Sequence, residues 1–145
     1  MRIIILNGPN LNMLGEREPA IYGTKTYNDL KKVIIDEAKK QRVSVIIKQS
    51  NHEGKLIDWI QRYRNKVQGI IINPGALTHY SYALYDCLKG VSIPVVEVHL
   101  SDIKKREGFR QLSVIEPACI KQLSGLGFNG YIEAINVLLE RNHSS

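Results

Sequence analysis

The chain has 145 residues, of which 43% are hydrophobic and 23% charged. That balance is close to a soluble globular average and excludes a disordered chain. The length predicts one domain over residues 1–145, able to bury roughly 70% of its unfolded surface without a disulfide or metal staple. An excess of 20 Lys and Arg over 14 Asp and Glu gives +6, which points to an anionic partner but leaves open nucleic acid, acidic lipid, or a small carboxylate or phosphate.

In chain order, residues 2–7 (RIIILN) form a β-branched run expected of a strand buried on both faces. The connection at 7–23 is far longer than usual between a strand and a helix, and long loops in compact domains tend to be lids or binding loops. Thr26, with Asp29 three residues on, predicts a capped helix to about residue 41, with Leu30, Val33, Ile34 and Ala38 on one face. A second strand follows at 43–49. The helix at 53–65 brings Leu56, Ile57, Ile60 and Tyr63 into one stripe. A third strand spans 67–73, and a helix over 79–89, with Thr78 as its cap, gathers Ala83, Leu84, Cys87 and Leu88. A fourth strand occupies 94–100 and a weaker fifth lies around 118–123. The closing helix at 130–141 aligns Ile132, Ile135, Leu138 and Leu139. Strands alternating with helices imply an α/β fold: a parallel sheet with helices on both faces, and ligands beyond the carboxyl ends of the strands.

Cys87 and Cys119 lie in apolar stretches without a CxxC motif, as reduced core thiols of a cytoplasmic protein would. The apolar run at the N-terminus is too short for a signal peptide. No stretch approaches the ~20 apolar residues a spanning helix needs, so no membrane partner is expected. Lys104, Lys105 and Arg106 read as a solvated charge run.

Polar and special residues concentrate after the strands, at 7–17, 49–53, 73–79 and 97–110. Residues 7–23 hold neither a P-loop nor a GxGxxG fingerprint. Arg17 and Tyr22 lie in this connection. A free tyrosine, pKa ~10, is about one part in a thousand phenolate at pH 7, and a nearby guanidinium favours that charged form. A tyrosinate is then a plausible general base. From spacing alone, a solvated arginine and a half-buried tyrosine fit equally well. Asn73 and His79 sit in a Pro-Gly turn leading to a helix start, where capping is the plain alternative. Glu97 and His99 alternate onto the same side of a strand. A carboxylate beside an imidazole fixes its tautomer and suits it to general-acid work. No set of His, Cys, Asp or Glu has metal-ligand spacing, so no metal is expected.

The segments NGPNLNMLGEREPAIYG (7–23), QSNHEGKLIDWI (49–60), INPGALTHYSYALYDCL (72–88), PVVEVHLSDIKKREGFR (94–110) and GLGFNGY (125–131) together resemble the type II 3-dehydroquinate dehydratases of the shikimate pathway. The resemblance runs along nearly the whole chain. It implies a flavodoxin-like three-layer sandwich with five parallel strands, a cofactor-free site and a homododecamer built from trimers. It also implies anti-elimination of water from 3-dehydroquinate to 3-dehydroshikimate through an enolate. On this resemblance Tyr22 is the base, Arg17 favours its phenolate, and His99 protonates the departing hydroxyl, oriented by Glu97. Asn10 helps polarise the enolate oxygen through a water. Asn73, His79, the Leu100–Ser101 backbone and Arg110 hold the carboxylate and hydroxyls, and Asp86 matches the position that reaches a neighbouring subunit's site. The segment after Arg110 departs from the family: Gln111 and Leu112 replace commoner polar or histidine residues, and 114–117 is atypical. Two other classes compete with this reading. A nucleotide- or flavin-binding module of the same fold lacks a phosphate-cradling glycine motif here. A nucleic-acid binder would cluster its basic residues, which are dispersed along this chain.

Overall fold

The computed structural model describes residues 1–16 and 19–144, and for Ile21, Tyr22 and Ser144 the backbone alone. The expectations for Arg17 and for the Tyr22 side chain therefore fall outside the described residues. Five parallel strands are described: β1 (Arg2–Asn7), β2 (Ser44–Gln49), β3 (Gly69–Asn73), β4 (Val95–His99) and β5 (Lys121–Ser124), in the order β2-β1-β3-β4-β5. That order, 2-1-3-4-5, is the flavodoxin-like arrangement, with a topological switch between β1 and β3. The helices are α1 (Pro19–Tyr22), α2 (Tyr27–Gln41), α3 (Glu53–Tyr63), α4 (Tyr82–Gly90) and α5 (Asn129–Ser144).

Side-chain alternation divides the core into two layers. Ile3 and Ile5 of β1, Ile71 of β3, and Val96 and Val98 of β4 pack with Leu30 and Ile34 of α2 and Ile135 and Leu138 of α5. Ile4 and Leu6, Ile70 and Ile72, and Val95 turn the other way, onto Leu56 and Ile60 of α3 and Leu84 and Leu88 of α4. Strands buried on both faces read as continuous apolar runs for this reason. By the same alternation Glu97 and His99 share the face of Val95, inside the α3–α4 layer.

Local chemistry sets most element boundaries. Thr26 and Asp29 form the expected capping box, the Thr26 hydroxyl accepting from the Asp29 N–H at 3.2 Å and the Asp29 carboxylate from the Thr26 N–H at 2.8 Å. Two boundaries differ from expectation. The helix placed at 79–89 begins at Tyr82 and is capped by Ser81, whose hydroxyl accepts from the Leu84 N–H at 3.1 Å. Residues 75–79 form a 3-10 turn instead, so Thr78 is not the cap and Ala83 faces solvent. The fifth strand starts at Lys121, because Pro117 sits in a 3-10 turn over Glu116–Ala118. Both cysteines are free, as expected, but half-buried rather than in the core. No helix of the described residues is long and apolar enough to cross a membrane.

Candidate active site

The loops after β1 and β3 touch backbone to backbone, and only glycine permits it. A Cβ on Gly8 would lie 2.5 Å from the Pro74 carbonyl oxygen. Gly75, at φ +60°, would put one 2.9 Å from the Pro9 carbonyl oxygen. Beside this crossing, at the carboxyl ends of β1, β3 and β4, an open cleft of about 590 Å³ is lined by Asn10, Asn73, His79, His99, Leu100, Ser101, Arg106 and Arg110, among others.

Asn73 and Asn7, at the ends of β3 and β1, are fixed from below by Tyr131 of α5. The wholly buried Tyr131 hydroxyl donates to Asn7 Oδ1 at 2.6 Å and accepts from Asn73 Nδ2 at 3.0 Å, while Asn73 Oδ1 accepts from the Gly75 N–H at 3.2 Å. These contacts leave Asn73 one amide hydrogen for a ligand. Asn10, in the left-handed region at φ 71°, is held by its own N–H on Asn51 Oδ1 at 3.0 Å. Gln49 braces the same loop, donating to the Gly8 carbonyl at 3.1 Å and to Asn51 Oδ1 at 3.1 Å.

Glu97 is fully buried and hydrogen-bonded to His99 Nε2. A carboxylate only accepts, so the facing Nε2 carries a proton and Nδ1 is the nitrogen left for proton transfer. Burial works against the Glu97 anion, but hydrogen bonds from His99, Thr78 and Ser113 outweigh it and hold the carboxyl below its usual range. Thr78 Oγ1 lies 2.6 Å from Oε2, and Ser113 Oγ lies 3.0 Å from Oε1 and 2.8 Å from Oε2. Sequence reasoning missed both hydroxyls; their contacts span 19 and 16 residues.

His79 donates from Nδ1 to the Leu112 carbonyl at 2.7 Å and meets the Phe109 ring edge-on at 6.1 Å. Burial, with help from His99, Arg110 and Arg106, pushes its pKa down, so it stays neutral at pH 7 and offers Nε2 to a hydroxyl. Arg110 Nε, partly buried, pairs with the exposed Glu107 at 2.6 Å. Such a pair is worth little by itself and can give way to an anionic ligand. Arg106, expected in a solvated run, instead lines the cleft and reaches Ser101 Oγ at 3.3 Å; only Lys104 and Lys105 are exposed. Leu100 lends its carbonyl to the Gly127 N–H at 3.1 Å. Asp86 is exposed on α4 and does not line the cleft. Among the described residues no three His, Cys, Asp or Glu side chains are grouped to hold a metal ion.

A flavodoxin-like sheet with a buried imidazole–carboxylate pair and arginines at its carboxyl edge defines a class: α/β proteins equipped for acid–base chemistry on a small anion. Residues 1–139 match the family described as Dehydroquinase class II, and the chain belongs to that family. The 3-dehydroquinate dehydratase of Clostridium perfringens strain 13 is 56% identical over 144 residues, covering 99% of this chain and 97% of that one. That of Clostridium acetobutylicum is 54% identical over 138 residues, covering 95% and 96%. The crystal structure of the type II dehydroquinase from Butyrivibrio crossotus superimposes with a TM-score of 0.94 at 50% identity, covering 96% and 97%. These likenesses favour the dehydratase expectation over the nucleotide- or flavin-binding one.

Proposed function

We propose that the chain, acting as one catalytic domain over residues 1–145, is a type II 3-dehydroquinate dehydratase. It removes water from 3-dehydroquinate in the anti sense through an enolate, giving 3-dehydroshikimate for the shikimate pathway. The observation that carries this reading is the buried Glu97–His99 pair in an arginine-rimmed cleft, in a chain of this family. Tyr22, as a phenolate that Arg17 favours, takes the proton alpha to the ketone, and the electron pair moves onto the ketone oxygen. Asn10, through a water, stabilises the enolate oxygen, where charge develops and prearranged donors act most strongly. The enolate then collapses, the C–O bond to the leaving hydroxyl breaks, and that oxygen takes the Nδ1 proton of the His99 imidazolium, whose other proton, on Nε2, is held by Glu97. Asn73, His79, the Leu100–Ser101 backbone and Arg110 bind the carboxylate and hydroxyls. No cofactor or metal enters these steps.

Asp86 completes the site of a neighbouring copy, which supports a homo-oligomer, a dodecamer of trimers, working in the cytoplasm. Tyr82 lies one turn from Asp86 on α4 and is 68% exposed, and nearby loops expose Tyr80, Phe109 and Leu112. These large apolar side chains suit burial between copies better than open solvent.

The test is to add 3-dehydroquinate to the assembled protein and follow the near-ultraviolet absorbance of the conjugated product; no rise sinks the proposal. Tyr22→Phe is expected to lower turnover by about 10²- to 10⁴-fold while calorimetry still detects substrate binding. Substantial residual turnover would remove Tyr22 as the base.

A further inference from the structure

We propose that Thr78 and Ser113 are positioning residues for the dehydration, their two hydroxyls clamping Glu97 so that its carboxylate stays ionised and aimed at His99. This rests on the acid–base reading above and assigns work to Ser113, which stands between the departures at 111–112 and 114–117.

Four observations carry it. First, Glu97 is completely buried on β4, on the sheet face whose side chains include the apolar Val95. An unpartnered carboxylate there costs several kcal/mol, more than the roughly 1.5–3 kcal/mol that burying a Val or Ile returns. The position would be apolar if packing were its only task. Second, the donors converge on it from three separate elements: Thr78 from the turn after β3, Ser113 from the loop after β4, and His99 from β4 itself. Third, Ser113 is itself anchored. Its oxygen accepts from the Glu116 N–H at 3.2 Å, and its hydroxyl lies within donating distance of both Glu97 oxygens, at 3.0 Å and 2.8 Å. Fourth, the Val114 N–H donates to the Thr78 carbonyl at 2.7 Å. That backbone bond fixes the two hydroxyls 2.9 Å apart, as one unit.

The consequence is a relay of orientation. Both hydroxyls reach Oε2, the same Glu97 oxygen that faces Nε2 of His99, so they hold that oxygen in place against the ring. The proton stays on Nε2, and Nδ1 is kept for the substrate. Without the clamp the carboxylate can rotate or take up a proton, and the imidazole loses its fixed tautomer. The other titratable and charged groups around this pair are His79 after β3, Arg106 and Arg110 after β4, and Glu116 and Cys119 beyond Ser113.

Thr78→Val and Ser113→Ala remove one hydroxyl each, and Thr78→Ser keeps it. Each deletion is expected to lower kcat about tenfold or more, the range for hydrogen bonds to a charged group, with KM changed less than about twofold. The acidic limb of the kcat–pH profile should move to higher pH, because Glu97 loses donors that hold its anion. Thr78→Ser should restore both. Nitrogen NMR of the imidazoles, with His99 assigned by loss of its signals in His99→Asn, should show a proton on Nε2 in the parent and a mixture of tautomers in the deletions. If Thr78→Val unfolds the chain, Ser113→Ala, nearer the surface, carries the same test. Folded variants that keep kcat, pH profile and the His99 tautomer would overturn the clamp. A parent that fails to dehydrate 3-dehydroquinate would instead overturn the proposed function, and the tautomer measurement would still decide whether the clamp exists.

Discussion

On the floor of the cleft Asn73, Glu97 and His99 are buried, and the protein itself hydrogen-bonds each of them. On the rim, Phe109 and Leu112 are 63% exposed, and Arg110 pairs with a solvent-facing Glu107 and lies over the Phe109 ring. The floor comes from the ends of β3 and β4, two strands that each pair with neighbours on both sides; the rim comes from short 3-10 turns after β4. The difference separates two tasks. Groups that meet developing charge gain most when prearranged in a dry setting. Groups that capture an anion work while partly hydrated and can trade one partner for another.

Substitutions can break or sharpen this contrast. The largest effect is expected from Glu97→Gln on the floor. The amide keeps the shape but brings an N–H₂ toward groups that already donate, so kcat should fall on the order of 10²-fold or more while calorimetric affinity holds. A kcat within about tenfold of the parent would mean the floor is not the centre of the chemistry. Next comes Arg110→Ala on the rim, expected to raise KM about tenfold through loss of one charge-assisted contact and to leave kcat nearly unchanged. A fall in kcat with unchanged KM would erase the division between rim and floor. The smallest effect on turnover is expected from Tyr131→Phe, which sits beneath the floor. It strands Asn7 and Asn73, and denaturant unfolding should show a loss of about 1–3 kcal/mol. An unchanged midpoint would show that those amides find other partners.

The sequence made the strands legible because buried parallel strands leave continuous apolar runs, as at 2–7 and 67–73. The capping box at Thr26 was legible because its partner lies three residues away. Glu97 and His99 could be placed together because strand side chains repeat every two residues. Reading failed where a residue's role depended on another loop. Thr78 looks like a cap in sequence, and Ser81 takes that role. Arg106 looks like part of a solvated run, yet the turn at Ile103–Lys105 swings it into the cleft. Gln49 at the end of the second strand and Asn51 just after it carry no task in the sequence reading, and they brace the loop of Asn10.

The +6 surplus pointed to an anion, and the strand–helix order placed its site at the carboxyl edge. Those conclusions followed from the sequence alone, since periodicity and turn chemistry are local properties of the chain. Only the tertiary structure decided which hydroxyls surround Glu97, which arginines face the cleft and what anchors Asn73. Those contacts join residues 16 to 58 positions apart, brought together by crossovers whose end points no local pattern encodes.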